Sequence, residues 1–281
     1  MRIGIDINSK SISAAVMTDN KAVDFIDESI YCTKRDCNRT IMEKVLKIIH
    51  HATNTHIKGI GLSLPSKIDQ KRGTIYDLGK IPYWKGHRIK KILEDEFNTH
   101  VWVNNDANCF MLAEKYHGMC QNFNDVLSIT LGPSIGTSII TKGKLFIGNK
   151  YLFNNSKCLS IPSYDCIRIY RESYNRTIED LSYLCDKFEK DEMCATKQEM
   201  WDELGVHVGR LISIMLCNYD AQAIVLGGSL ARSYTHFSNA MDKYLEKFIH
   251  PHVLLKMIII ISVVDHPHAL GAASLVNPLL M

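Results

Sequence analysis

No C-x-x-C pair occurs in the 281 residues, although the chain carries nine cysteines. That excludes a zinc knuckle and a thioredoxin-type dithiol, and an odd number argues against a disulfide framework. Cys185 and Cys217 fall in helical, apolar settings, where a free thiol acts as a small core residue; a reduced, cytoplasmic protein is expected. No apolar run reaches membrane-spanning length, since the longest, 257–264, is the size of a strand. No basic block is present, and a formal net charge of +3 is too small to argue for nucleic acid. No signal peptide is expected, since the opening residues Met-Arg-Ile-Gly-Ile-Asp read as a strand and lack its layout. What is there suits a globular protein: 46% hydrophobic and 22% charged residues, with length for two domains or one large one.

The order of elements repeats. Residues 2–7, 12–17 and 22–26 read as three short strands separated by turn-rich breaks, hence an antiparallel meander. Residues 40–52 carry a helical stripe (Ile41, Val45, Leu46, Ile48, Ile49) with Thr40 and Glu43 as its capping box. A strand at 57–64 ends at Pro65, residues 69–84 read as loop, and a helix through Ile89, Leu93 and Phe97 leads to a strand beginning at Val101. The second half runs through strands 126–131, 136–141 and 144–147 and an irregular middle. A long helix marked by Trp201, Leu204, Val208, Leu211 and Met215 follows. Strand 223–226, a helix near 237–248, strand 257–264 and a small-residue helix at 269–275 complete it. Two copies of β-β-β-α-β-α-β predict a duplicated α/β fold with a ligand cleft between its lobes.

The stretch Val-Trp-Val-Asn-Asn-Asp-Ala-Asn-Cys at 101–109 is the centre of the argument. A buried strand of β-branched residues stops at Asn104-Asn105-Asp106, and from Ala107 the pattern turns helical. Asn105 or Asp106 can be read as a helix N-cap and nothing more. Alternatively Asp106 is a general base with Asn105 beside it as a hydrogen-bonding group for substrate, since ligands of α/β folds sit beyond the carboxyl ends of strands. Two turns, Asp6-Ile7-Asn8-Ser9-Lys10 and Leu131-Gly132-Pro133-Ser134-Ile135-Gly136, have the position from which a hairpin presents backbone N–H groups to phosphate. Gly227-Gly228 follows an apolar strand and suits close approach of a phosphorylated ligand.

In this order and spacing the motifs resemble the ROK family (repressors, reading frames and sugar kinases). The matching residues are Gly59-Ile60-Gly61 with Pro65, Asp69, Arg72-Gly73, Asn105-Asp106-Ala107-Asn108, Gly132, Ile135-Gly136, Leu226-Gly227-Gly228 and Ala269-Leu270-Gly271-Ala272-Ala273. The resemblance implies a two-lobed actin-like ATPase (ribonuclease H-like) duplicated α/β fold. Residues 1–115 with 269–281 would form the first lobe and 116–268 the second. It implies ATP with Mg²⁺, a small-molecule sugar or sugar phosphate as partner, and a homodimer. Asp106 falls at the base that deprotonates the sugar hydroxyl. Asn105, Pro65, Asn155, Cys158 and Arg168 fall at substrate positions, and Asp6, Ser9, Lys10, Gly132, Ser134, Gly136, Gly227 and Gly228 at nucleotide positions. With the first strand expected from residue 2, the helix-turn-helix that marks the family's repressors is not expected.

The departures bear on function. The family's first phosphate turn is Asp-x-Gly-Gly-Thr, and here the glycines and threonine are Asn8, Ser9 and Lys10. Pro133 removes an N–H donor from the second turn. The sugar-binding Glu-x-Gly-His becomes Asn155-Ser156-Lys157-Cys158, the zinc motif is shortened away so that no zinc is expected, and Arg168 stands where a sugar-binding glutamate would be. Two functions follow as alternatives. One is a kinase with an altered substrate. The other is a non-catalytic descendant that binds a sugar or sugar phosphate, or only a protein partner, and under it Arg168 would favour an anionic ligand.

Overall fold

The hexapeptide Arg-Ile-Gly-Ile-Asp-Ile, with isoleucine at every second position, starts the first sheet as β1 (Arg2–Ile7), and β2 (Ser11–Thr18) and β3 (Lys21–Ser29) pair beside it as an antiparallel meander. The computed structural model describes residues 1–8, 10–18, 21–30, 37–52, 56–65, 67–70, 72–77, 88–132, 134–146 and 164–276. The chain divides into two compact units, Met1–Gln121 with Val264–Met281, and Asn122–Val263.

In the first unit, α1 (Cys37–Ala52) leads to β4 (Gly59–Leu64), which lies parallel to β1. Helix α1 begins three residues before the expected cap, so Thr40 is inside it and Glu43 pairs instead with Arg39 at 2.7 Å, an i,i+4 contact. The stretch read as loop from residue 69 contains part of a short hairpin, β5 (Lys67–Asp69) with β6 (Thr74–Asp77), closed where the Asp69 carboxylate accepts the Arg72 amide. Then come α2 (Ile89–Phe97), β7 (Val101–Asn105) and α3 (Asp106–Tyr116), giving the sheet order β3-β2-β1-β4-β7. Ile3, Ile5, Ile60 and Leu62 turn one face of the sheet into a core with Ile41, Val45, Ile48, Ile89 and Leu93 of α1 and α2. Each such fully buried side chain stabilises by about 1.5–3 kcal/mol.

The second unit repeats the pattern. Strands β8 (Val126–Thr130), β9 (Gly136–Thr141) and β10 (Lys144–Leu145) form the meander. Helices α4 (Tyr164–Lys190) and α5 (Gln198–Leu216) lead to β11 (Ala223–Gly227); α6 (Tyr234–Phe248), α7 (Pro251–Leu254) and β12 (Ile258–Ile261) follow. The order β10-β9-β8-β11-β12 is that of the first sheet. The middle expected to be irregular is largely α4. Its Tyr174, Ile178, Leu181, Leu184 and Cys185 form a buried stripe at helical spacing that joins Leu204, Val208 and Leu211 of α5. The polar residues between them mask this stripe in the bare sequence, and packing on α5 stabilises the helix.

From residue 264 the chain belongs to the first unit again, where α8 (Pro267–Ser274) lies on the second face of that sheet and against α3. A Cβ on Gly271 would run into the Cys109 carbonyl of α3, so this small-residue helix packs backbone against backbone. Among the described residues, no helix is long and apolar enough to cross a membrane.

Candidate functional site

The three parallel strands β1, β4 and β7 each carry a polar residue at the last position but one: Asp6, Ser63 and Asn104. The register pairs Asp6 with Ser63 and Ser63 with Asn104, which makes one polar row at the carboxyl ends of the strands. All three are buried, at 7%, 0% and 1% exposure, so each needs an internal partner. The Ser63 hydroxyl donates to Asp6 Oδ1 at 2.6 Å. Behind them lies the Cys109 thiol. Its burial, and then the negative charge of Asp6, push it well above the ordinary thiol range, against an opposing hydrogen bond with Ser63. Cys109 is therefore a neutral structural thiol.

Asn104 Oδ1 accepts three hydrogen bonds at 2.9 Å, from Gln70 Nε2, the Asn105 amide and Asn108 Nδ2. The strand therefore runs two residues beyond Val103, and the chain enters α3 from a fixed point. Asn105 is the N-cap: it is extended (φ −78°, ψ 163°) and its Oδ1 accepts the Asn108 amide at 2.9 Å. Asp106 is the first helical residue and is partly exposed, and its Oδ1 accepts the Ala107 amide at 2.8 Å. A carboxylate in a first helical turn is favoured by the unpaired amides there. Pro65 follows Leu64, the partner of Asn105 across β4 and β7. Pro65, Asn105 and Asp106 thus share the strand-end edge that Asp6 also occupies. The sequence singled out Asp6 but not Ser63 or Asn104. Ser63 and Asn104 gain their meaning only from the strand pairing that sets them beside Asp6.

The β1–β2 turn is organised by Asn8. Its Oδ1 accepts the amides of Lys10 and Ser11, both at 2.9 Å, its Nδ2 donates to Ser11 Oγ at 3.0 Å, and its amide donates to the Ser11 carbonyl at 3.0 Å. Lys10 is exposed; Ser9 lies outside the described residues.

In the second unit two glycine turns meet. The Leu131 amide donates to the Gly227 carbonyl at 2.7 Å, and Gly228 has φ 88°, with its α-carbon so close to Leu131 that a side chain would strike the Leu131 backbone. This brings Gly132 beside Gly227, Gly228 and Ser229 at the ends of β8 and β11. The Gly136 amide donates to Thr130 Oγ1 at 3.0 Å. The Gly132 amide bonds the sulfur of Cys185, whose thiol burial nevertheless pushes up to about 12. With Pro133 lacking an N–H, three of the five residues from 132 to 136 have no amide to offer an anion. Ser134 is exposed.

Asn155 and Cys158 lie outside the described residues, and Arg168 lies in the first half of α4. Among the described residues no three His, Cys, Asp or Glu side chains converge as a metal site. Mg²⁺ takes one or two carboxylates and keeps several waters; at this edge Asp6, with Oδ1 engaged by Ser63, and Asp106 are the carboxylates that could hold it.

A family profile described as "ROK family" matches residues 2–152 and 163–278. An uncharacterised protein of Clostridium perfringens is 26% identical over 261 residues, covering 87% of this chain and 86% of that protein. A beta-glucoside kinase of Listeria monocytogenes is 38% identical over 100 residues, covering 36% of this chain and 34% of the kinase. Among solved structures, a ROK family glucokinase from Streptomyces griseus in complex with glucose and AMPPNP superposes with a TM-score of 0.73 at 20% identity, covering 98% of both chains. The architecture is thus the duplicated α/β fold of the actin-like ATPases, and sugar kinases are among its homologues. With the family profile spanning nearly the whole sequence, the chain belongs to the ROK family.

Proposed function

We propose that this chain transfers a phosphoryl group from ATP to a hydroxyl of a sugar, with Asp106 as the base. The observation that carries this reading is the β7–α3 junction, where Asn105 caps the helix and leaves Asp106, the next residue, partly exposed at the strand-end edge. A base must come within hydrogen-bond reach of the hydroxyl it deprotonates, and a carboxylate fixed at a helix start is held for that task. Asn105 would hold the sugar through its amide nitrogen, because its oxygen is engaged by Asn108. Asp6 is the residue that would hold Mg²⁺, an ion that would supply charge neutralisation for phosphoryl transfer. The family's kinases, the beta-glucoside kinase of Listeria monocytogenes among them, support the reaction class.

The substrate is not free glucose in this reading. Asn155 and Arg168 stand where the family places sugar-holding acidic residues. Each lost charge-assisted hydrogen bond costs about 1.5–3 kcal/mol, and two weaken neutral-hexose binding by about two to four orders of magnitude. A substituted or anionic sugar fits Arg168 better. The test is a coupled ADP-release assay over hexoses, hexose phosphates and glucosides, run beside Asp106→Asn. Turnover on a substituted sugar, lost in Asp106→Asn, is the expected result. Brisk turnover of glucose refutes the altered substrate, and unchanged activity in Asp106→Asn removes the base from the mechanism.

A second reading, sugar binding without turnover, is favoured by the engaged amides of Gly132 and Gly136. Ligand binding raises apparent stability by mass action. A thermal-shift response to sugars but none to ATP with Mg²⁺ would select it.

A further inference from the structure

The β1–β2 turn already contains an oxygen acceptor at the place where a phosphate would take its donors. Asn8 Oδ1 accepts the amides of Lys10 and Ser11, both at 2.9 Å, and Ser11 Oγ holds the other end of the same side chain at 3.0 Å. The turn does not need this side chain to close. The Asn8 amide donates to the Ser11 carbonyl independently, and β1 and β2 pair immediately beyond it at Ile7 and Ile12. Removing the side-chain amide therefore exposes two converging N–H groups without unmaking the hairpin.

We infer that Asn8 is an intramolecular occupant of the first phosphate turn, and that this one side chain sets the affinity of the chain for its phosphoryl donor. The inference rests on the reading that the chain uses ATP, and it identifies a residue that tunes that use. A polyphosphate oxygen competes with Oδ1 for the same two amides, so binding must first break two neutral hydrogen bonds. At about 0.5–1.5 kcal/mol each, that amounts to roughly a 5- to 150-fold penalty in Kd. The neighbouring Lys10 adds positive charge on the turn, which favours an anion once the acceptor is gone.

Two substitutions at this position have opposite expected effects. Asn8→Ala removes the competitor and should tighten binding of ATP with Mg²⁺ by about 5- to 150-fold. Asn8→Asp keeps the acceptor and adds negative charge, so it should weaken binding below the wild type. A side chain with only a structural role would weaken binding in both variants. Isothermal titration of the full chain and both variants with ATP–Mg²⁺, and separately with inorganic tripolyphosphate, reads this directly, and thermal unfolding confirms that each variant is folded. Tightening in Asn8→Ala for both probes supports the assignment to the phosphates. Measurable wild-type binding that Asn8→Ala leaves unchanged or weaker overturns the inference and leaves the kinase reading standing. Absence of binding in wild type and Asn8→Ala alike, up to millimolar concentration, overturns both.

Discussion

The Ser63 hydroxyl donates to Oδ1 of Asp6 at 2.6 Å, across neighbouring strands whose register places the two residues side by side. Ser63 is fully buried and Asp6 nearly so, which means water cannot replace the bond if one partner is removed. Ser63→Ala should therefore destabilise the chain by about 1.5–3 kcal/mol, the range for a hydrogen bond to a charged group. Urea unfolding at neutral pH measures it. In an Asp6→Asn background the same substitution should cost less, because the partner is then neutral. Equal cost in both backgrounds would show that the two side chains are not coupled.

Much of this framework is legible in the sequence because it rests on local pattern. Ile3, Ile5 and Ile7 alternate as a strand, Val45, Ile48 and Ile49 repeat as a helix, and the pattern bounds β1 and β9 at the residues where the structure has them. Helix α4 was not legible. Its apolar residues are diluted by charge, and its stability comes from α5, a partner that periodicity does not reveal. At the site, Asp6, Asn105 and Asp106 could be picked out as polar residues at strand ends. Asn104 and Ser63 could not, since their importance depends on which strands are neighbours, and Gln70 contacts Asn104 only because a hairpin turns it back. The Asn8 contacts were equally hidden, because a side-chain acceptor within a turn is indistinguishable in sequence from a polar turn residue.

His117, at the end of α3, predicts an acid-side loss of stability. Burial first, and then the positive charge of Arg2, hold its imidazole below the ordinary 6.5. Ser274 gives its hydroxyl hydrogen to the Leu270 carbonyl, so at 2.9 Å the His117 Nε2 is the donor to Ser274 Oγ. The folded state thus favours the neutral ring, while the unfolded chain takes up a proton near pH 6.5. Stability is fully present above that pH and falls as the pH drops through the folded value. Thermal midpoints between pH 7.5 and 5 should decline more steeply for the wild type than for His117→Gln, which keeps a donor for Ser274 without titrating. Parallel profiles would show that another group carries the acid dependence.

Asn105 has two possible duties that substitution can separate. As the N-cap it accepts the Asn108 amide through Oδ1, and loss of such a cap costs about 0.5–2 kcal/mol. Asn105→Ala should therefore lower stability by about 1 kcal/mol, whether or not the residue touches a ligand. Asn105→Asp retains the oxygen acceptor, caps equally well, and should restore most of that stability. What aspartate cannot restore is a donor, because the side-chain nitrogen is gone and a second negative charge now stands beside Asp106. If Asn105 also donates to a sugar hydroxyl, Asn105→Asp will regain most of the stability and still bind the sugar found in the substrate panel at least tenfold more weakly. Urea midpoints and calorimetric titration on the same three proteins give both quantities. Recovery of stability together with full sugar affinity in Asn105→Asp would reduce Asn105 to a cap and leave Asp106 alone at the end of β7.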